Sequence, residues 1–174
     1  MGNLEVGALA SHFTLLGLDG REYSVPAGIA GRPLLLVFFR TGCPTCDVAF
    51  PYINRLQQSY PDGLQVWAVS QDDPARARPY AEKFGLDYPV LIDAPALDVS
   101  LLYDPPSTPT AFLIAPNGHV EFVAEGFAKS DLNELSERLA ARLGVPSVEI
   151  AAPDDGQPAM KPGCMARQRL PRRR

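Results

Sequence analysis

Two cysteines separated by two residues, Cys43-Pro44-Thr45-Cys46, carry the chemistry of this sequence. Such a pair can cycle between dithiol and disulfide or hold a metal, and its context decides which. It follows the unbroken apolar run from Leu34 to Phe39. It precedes a stretch in which Val48, Ile53, Leu56 and Tyr60 recur near helical spacing. The pair therefore lies where a buried strand gives way to a helix. A helix start offers free amide N–H groups and the positive end of the macrodipole, and both stabilise an anion. Cys43, at the first position, gains most; thiols in such settings have pKa values of roughly 3.5–7.5. Pro44 suits the first helical turn. Cys46 lies one turn further along the same side and is expected to be the more buried thiol. The spacing thus predicts that Cys43 attacks a substrate disulfide and that Cys46 resolves the mixed disulfide. Thr41, two residues before the pair, and Thr45, within it, are supporting residues. Arg40, three residues upstream, would add positive potential beside Cys43; a solvated strand-end arginine is the alternative.

Metal binding would need two further ligands. Cys164, His12 and His119 are the candidates, and none forms a second paired motif, so neither metal nor cofactor is expected. Both histidines read as surface residues. Three cysteines are too few for a disulfide framework, and a structural disulfide adds little in a reducing compartment. A second constellation, Ser107-Thr108-Pro109-Thr110, stands immediately before a strand. From the residues alone the Thr108–Pro109 bond can be cis or an ordinary trans loop bond.

The elements that position these residues follow from periodicity and turn chemistry. Leu15 to Tyr23 reads as a small hairpin about Asp19-Gly20. Leu34 to Phe39 is a central strand, and a helix runs from the cysteines to about Tyr60, kinked at Pro51. Leu64 to Ser70 is a strand. Asp72-Asp73-Pro74 opens a helix that Gly85 closes. Tyr88 to Ile92 is a strand and Leu97 to Tyr103 a short helix. Thr110 to Ala115 and His119 to Ala124 form a hairpin across Pro116-Asn117-Gly118. Ser130-Asp131 caps a last helix, with Glu134 at capping-box spacing and Leu132, Leu135, Leu139 and Leu143 on its apolar face. This order predicts an α/β fold: a central mixed sheet flanked by helices on both faces, with an N-terminal hairpin extension.

Length and composition agree. The chain has 174 residues, 46% hydrophobic and 21% charged, enough for one domain with its own core. We expect a domain over residues 1–145 and a flexible Pro/Gly/Arg-rich tail over 146–174. The last fourteen residues hold six basic side chains and no acidic one, so the rest is strongly acidic, which argues against nucleic acid as a partner. No apolar run is long enough to span a membrane. No basic region precedes an apolar stretch at the N-terminus, so a cytoplasmic location is expected. A free tail would let Cys164 range about 25 Å from the domain. An exposed, unreactive thiol is the expectation there; attack on oxidised Cys43, or pairing with another chain, are the alternatives.

Taken together, Leu34 to Cys46, Pro109 at a strand start and Asn117-Gly118 resemble the thioredoxin-like superfamily. The likeness is greatest to redoxins of the TlpA and ResA type and to the related alkyl-hydroperoxide-reductase/thiol-specific-antioxidant peroxiredoxins. It covers about Val6 to Leu143 and includes VGALASHFTLLGLDG and PVLIDAPALDVSLLYDPPSTPTAFLIAPNGHV. The resemblance implies a thioredoxin fold with Cys43 attacking and Cys46 resolving. It also implies a cis Thr108–Pro109 bond facing them, in a loop that binds the substrate chain as an added extended segment. The implied partners are a protein or small-molecule thiol or disulfide and an electron-donating reductase. The sequence departs from the pattern at four positions. Gly42 replaces an aromatic residue, so the rim of the site should be open, and Phe39 replaces a Trp. Val37 and Ala49 stand where relatives carry the Asp and Glu that assist proton transfer at the inner thiol. Two other functions compete. One is a thiol peroxidase with Cys43 as peroxidatic residue, with antioxidant activity, although Arg40 stands where that family places a Thr. The other is a non-catalytic binding module.

Overall fold

The computed structural model describes residues 4–171. Two short strands, β1 (Phe13–Leu16) and β2 (Glu22–Val25), form the expected N-terminal hairpin. The central strand β3 (Leu34–Phe39) is buried throughout and leads into α1 (Pro44–Ser59), which contains Pro51. There follow β4 (Gln65–Ser70), α2 (Pro74–Phe84), β5 (Val90–Ile92), α3 (Asp98–Tyr103), β6 (Thr110–Ile114) and β7 (Val120–Glu125). The last body elements are β8 (Phe127–Ala128) and α4 (Lys129–Leu143), and β9 (Met160–Lys161) lies beyond them. The main sheet has the order β5-β4-β3-β6-β7, with β3, β4 and β5 parallel and β6 and β7 antiparallel to their neighbours. The hairpin docks on its β5 edge through Gly17 and Leu91.

Because β3 is buried on both faces, its side chains alternate between two cores. Leu35, Val37 and Phe39 join α1, α2 and α4 on one side, together with both cysteines of the pair. Leu34, Leu36 and Phe38 join Phe13, Val99, Tyr103 and Phe112 on the other, under the hairpin and α3. Trp67 of β4 also faces the hairpin side. Tyr23 meets its ring edge-on at 5.4 Å, and Gly28 lies so close that a Cβ there would fall 2.3 Å from the indole.

Two expectations fail. The last helix begins at Lys129 with Ala128 in the cap position, not at Ser130-Asp131, and no side-chain cap bond forms there among the described residues. The physical reason is an ion pair: the buried Lys129 reaches Asp155 at 2.6 Å, which winds the helix two residues earlier. Leu143, at the far end, is exposed.

The larger difference lies in residues 146–171, which pack along the domain as a strap instead of hanging free. Ile150, Ala151 and Ala166 are fully buried or nearly so. Asn133 accepts from the amides of Ile150 and Ala151 at 2.9 and 3.0 Å and donates to the Ala151 carbonyl. Tyr52 hydrogen-bonds Asp155, β9 pairs with β8, and Arg167 pairs with Asp72 at 2.7 Å. A Pro- and Gly-rich segment lacks periodic apolar residues, but side chains of α1 and α4 satisfy its backbone groups individually. Arg172, Arg173 and Arg174, part of the basic tail, lie outside the described residues.

Candidate functional site

The dithiol sits at the C-terminal end of β3. Cys43 is the cap residue of α1 and has extended backbone; its Sγ accepts the Cys46 amide at 3.3 Å. Pro44 occupies the first turn, where no amide partner is lost. Gly42, with φ +71, turns the chain from strand to helix. Thr108 closes the site from the opposite side. Its carbonyl lies 3.3 Å from the Cys43 sulfur and its hydroxyl 3.6 Å. The Thr108–Pro109 bond is cis.

The two sulfurs are electrostatically unlike. Hydrogen bonds from the Cys46 thiol, then from Cys164, the Cys46 amide and the Thr108 hydroxyl, stabilise the Cys43 thiolate and outweigh its burial, lowering its pKa to about 5. Burial acts first on Cys46, followed by its hydrogen bond to Cys43 and the charge of that sulfur, and pushes its pKa well up. Val37 and Ala49 keep the inner thiol's surroundings apolar.

The remaining expected site residues divide. Thr45 is buried and donates from its hydroxyl to the Pro162 carbonyl at 2.6 Å. Thr41 is held by Asp72, which accepts from both its amide and its hydroxyl at 2.7 and 3.1 Å. Arg40 does not act on Cys43 directly. Its guanidinium donates to the carbonyls of Met165, Thr41 and Gly42, because these acceptors crowd the end of β3. Arg40 thus braces the loop and the strap.

The strap changes the site most. Cys164 forms an antiparallel bridge with Thr108, its amide and carbonyl each bonded to the main chain of Thr108 at 2.8 Å. Its side chain packs against the core cluster that holds both cysteines of the pair, and Cys43 is fully buried. The expected exposed, unreactive cysteine is therefore half-buried beside the dithiol; the rim at Gly42 is open, as expected, while Cys43 itself is covered. Periodicity carries no sign of this. The available signals were single residues, Gly126 and Gly163, which permit the close approach. A Cβ on Gly126 would fall 2.8 Å from the Gly163 amide nitrogen, and one on Gly163 would fall 2.2 Å from the Ser107 hydroxyl.

The chain is similar to proteins of known class. The profile of the AhpC/TSA family matches residues 6–123. Thiol-disulfide oxidoreductase ResA of Geobacillus thermodenitrificans is 34% identical over 137 residues, 77% of this chain and 78% of the relative. Thioredoxin-like protein YneN of Bacillus subtilis is 28% identical over 127 residues, 71% and 73% of the two chains. Among solved structures, one assigned as thiol:disulfide interchange protein DsbE from Chlorobium tepidum superposes with a TM-score of 0.74. It is 30% identical and covers 82% of this chain and all of its own. Fold, site and likeness define a thioredoxin-like thiol-disulfide oxidoreductase. More particularly, the chain belongs to the AhpC/TSA family, as a redoxin of the ResA type. The profile ends at residue 123, so Cys164 lies beyond it.

Proposed function

We propose that the enzyme exchanges disulfides through Cys43 as attacking thiol and Cys46 as resolving thiol. The observation that carries this reading is the opposite displacement of the two thiols, Cys43 held near 5 and Cys46 pushed up. At neutral pH the Cys43 thiolate attacks one sulfur of a substrate disulfide. The substrate S–S bond breaks, and the departing thiolate takes up a proton. Mixed-disulfide formation removes the charge from Cys43, and with it two of the three leading causes that raise Cys46. The inner thiol then loses its proton to water and attacks the Cys43 sulfur, and the sulfur leaving from the mixed disulfide takes up a proton. A second substrate thiol leaves and the Cys43–Cys46 disulfide remains for a reductase partner to reduce. Thr108 and Pro109 form the edge along which an extended protein substrate would lie.

The peroxidase alternative lacks comparable support. The Thr41 hydroxyl donates to Asp72 and the Arg40 guanidinium to backbone carbonyls, so these donors are engaged elsewhere. Iodoacetamide labelling of the reduced protein between pH 4 and 8 tests the assignment. Labelling of Cys43 should rise through pH about 5, because thiolate accumulates above that value, while Cys46 stays unlabelled. Labelling of Cys46 first would reverse the roles.

A further inference from the structure

We propose that the strap is a tethered substrate mimic and that Cys164 is a third redox cysteine, exchanging into a Cys43–Cys164 disulfide. This rests on the reading of Cys43 as the attacking thiol. Three observations converge on it. First, Cys164 makes the two-sided main-chain bridge to Thr108 that an incoming extended chain would make at this edge, and Thr45 accepts the strap's direction by donating to the Pro162 carbonyl. Second, three free thiols share one neighbourhood: Cys164 packs against the core cluster that holds Cys43 and Cys46, and the Thr108 carbonyl that accepts the Cys164 amide at 2.8 Å also lies 3.3 Å from the Cys43 sulfur. Third, the strap is fitted there. Gly126 abuts the strap backbone at Gly163, and Gly163 abuts Ser107 and Thr108, with no room for a Cβ on either. Beyond Cys164 the chain is fastened by Arg40 to the Met165 carbonyl, by Gln71 to the Arg167 amide and by Asp72 to the Arg167 guanidinium.

The chemistry balances without an added oxidant. Once a substrate disulfide has oxidised the pair, Cys164 loses its proton to water and attacks the Cys43 sulfur. The Cys43–Cys46 bond breaks, its electron pair leaves on Cys46, and Cys46 takes up a proton. A Cys43–Cys164 bond replaces the one lost, with no net change in oxidation state. In the reduced enzyme the same contact covers the nucleophile, so a substrate chain must displace the strap to reach it.

Oxidising the full-length Cys46→Ser variant with glutathione disulfide tests the exchange. Cys43 first takes up glutathione; Cys164 then expels it. Peptide mass mapping should find an intrachain Cys43–Cys164 disulfide and no retained glutathione. Glutathione held on Cys43 beside a free Cys164 overturns the proposal. The Cys46→Ser/Cys164→Ser variant separates the two readings: it should retain glutathione on Cys43. If it takes none, the attacking-thiol assignment has failed, and the proposal with it. Covering is tested independently by Gly163→Val, which lifts the strap by steric clash. Iodoacetamide should then label Cys43 about tenfold faster or more than in the unaltered protein, as expected for loss of a local closed state. An unchanged rate overturns the covering role.

Discussion

The body of the domain and the strap are held in place by different physics. From Phe13 to Leu139 the chain is organised by two apolar cores on either side of one sheet, and each strand buries whole side chains. From residue 146 to 171 burial is confined to a few small or medium side chains. Most contacts are hydrogen bonds between strap backbone and body side chains such as Asn133, Ser136, Lys129 and Arg40. Apolar burial is cooperative and spreads over many residues; individually made hydrogen bonds are each modest and each can open alone. A site covered by a hydrogen-bonded strap on a hydrophobic body can therefore be uncovered without unfolding the enzyme.

The largest effect is expected in the body. Phe112→Ala removes a fully buried ring that contacts Phe38 and Tyr103. It should cost about 3–5 kcal/mol of global stability. A denaturant midpoint that falls for body and strap together is the expected result. Ile150→Ala sharpens the contrast. Ile150 is buried against α1 and α4, so its truncation should cost about 2–3 kcal/mol, chiefly from strap docking. Hydrogen exchange at the Cys164 and Arg167 amides should quicken while the β3 amides hold their protection. Equal loss in β3 would mean that strap and body are one cooperative unit, and the distinction would collapse.

The smallest effect is the acid response of the strap. Hydrogen bonds from Lys129 and then Tyr52 hold Asp155 at about 2, below its ordinary 3.8. A depressed carboxylate pKa contributes stability that is complete above the unfolded value and fades as pH falls through the folded one. Strap docking should therefore be unaffected at pH 5 and weaken between about pH 4 and 2. The Ala166 methyl resonance, buried only when the strap is docked, gives the measurement.

The same division decides what could be read from the sequence. β3 was legible to the residue because six consecutive apolar side chains ended at Arg40, just before a Thr-Gly-Cys-Pro break. The start and stop of α2 were legible because Asp73 and Gly85 carry the capping chemistry themselves. The dithiol's place at a helix start followed from the same pattern. The start of α4 was not legible, since Lys129 is fixed by Asp155, which lies far along the chain. The docking of Cys164 was not legible either. Backbone pairing with Thr108 depends on no side chain, and the glycines that permit it look like any turn glycines. Asp72 looked like part of a helix start, yet it also ties Thr41 and Arg167 together.

The position of Trp67 has an optical consequence. The chain has one tryptophan, on the hairpin side of the sheet, while Cys43, Cys46 and Cys164 all belong to the opposite side. The backbone layer of β3 and β4 separates the indole from the three sulfurs. Intrinsic emission is consequently a gauge of how Tyr23 and Gly28 sit on β4. It is a quiet channel for the redox state, whose changes have to be followed by mass or by thiol labelling.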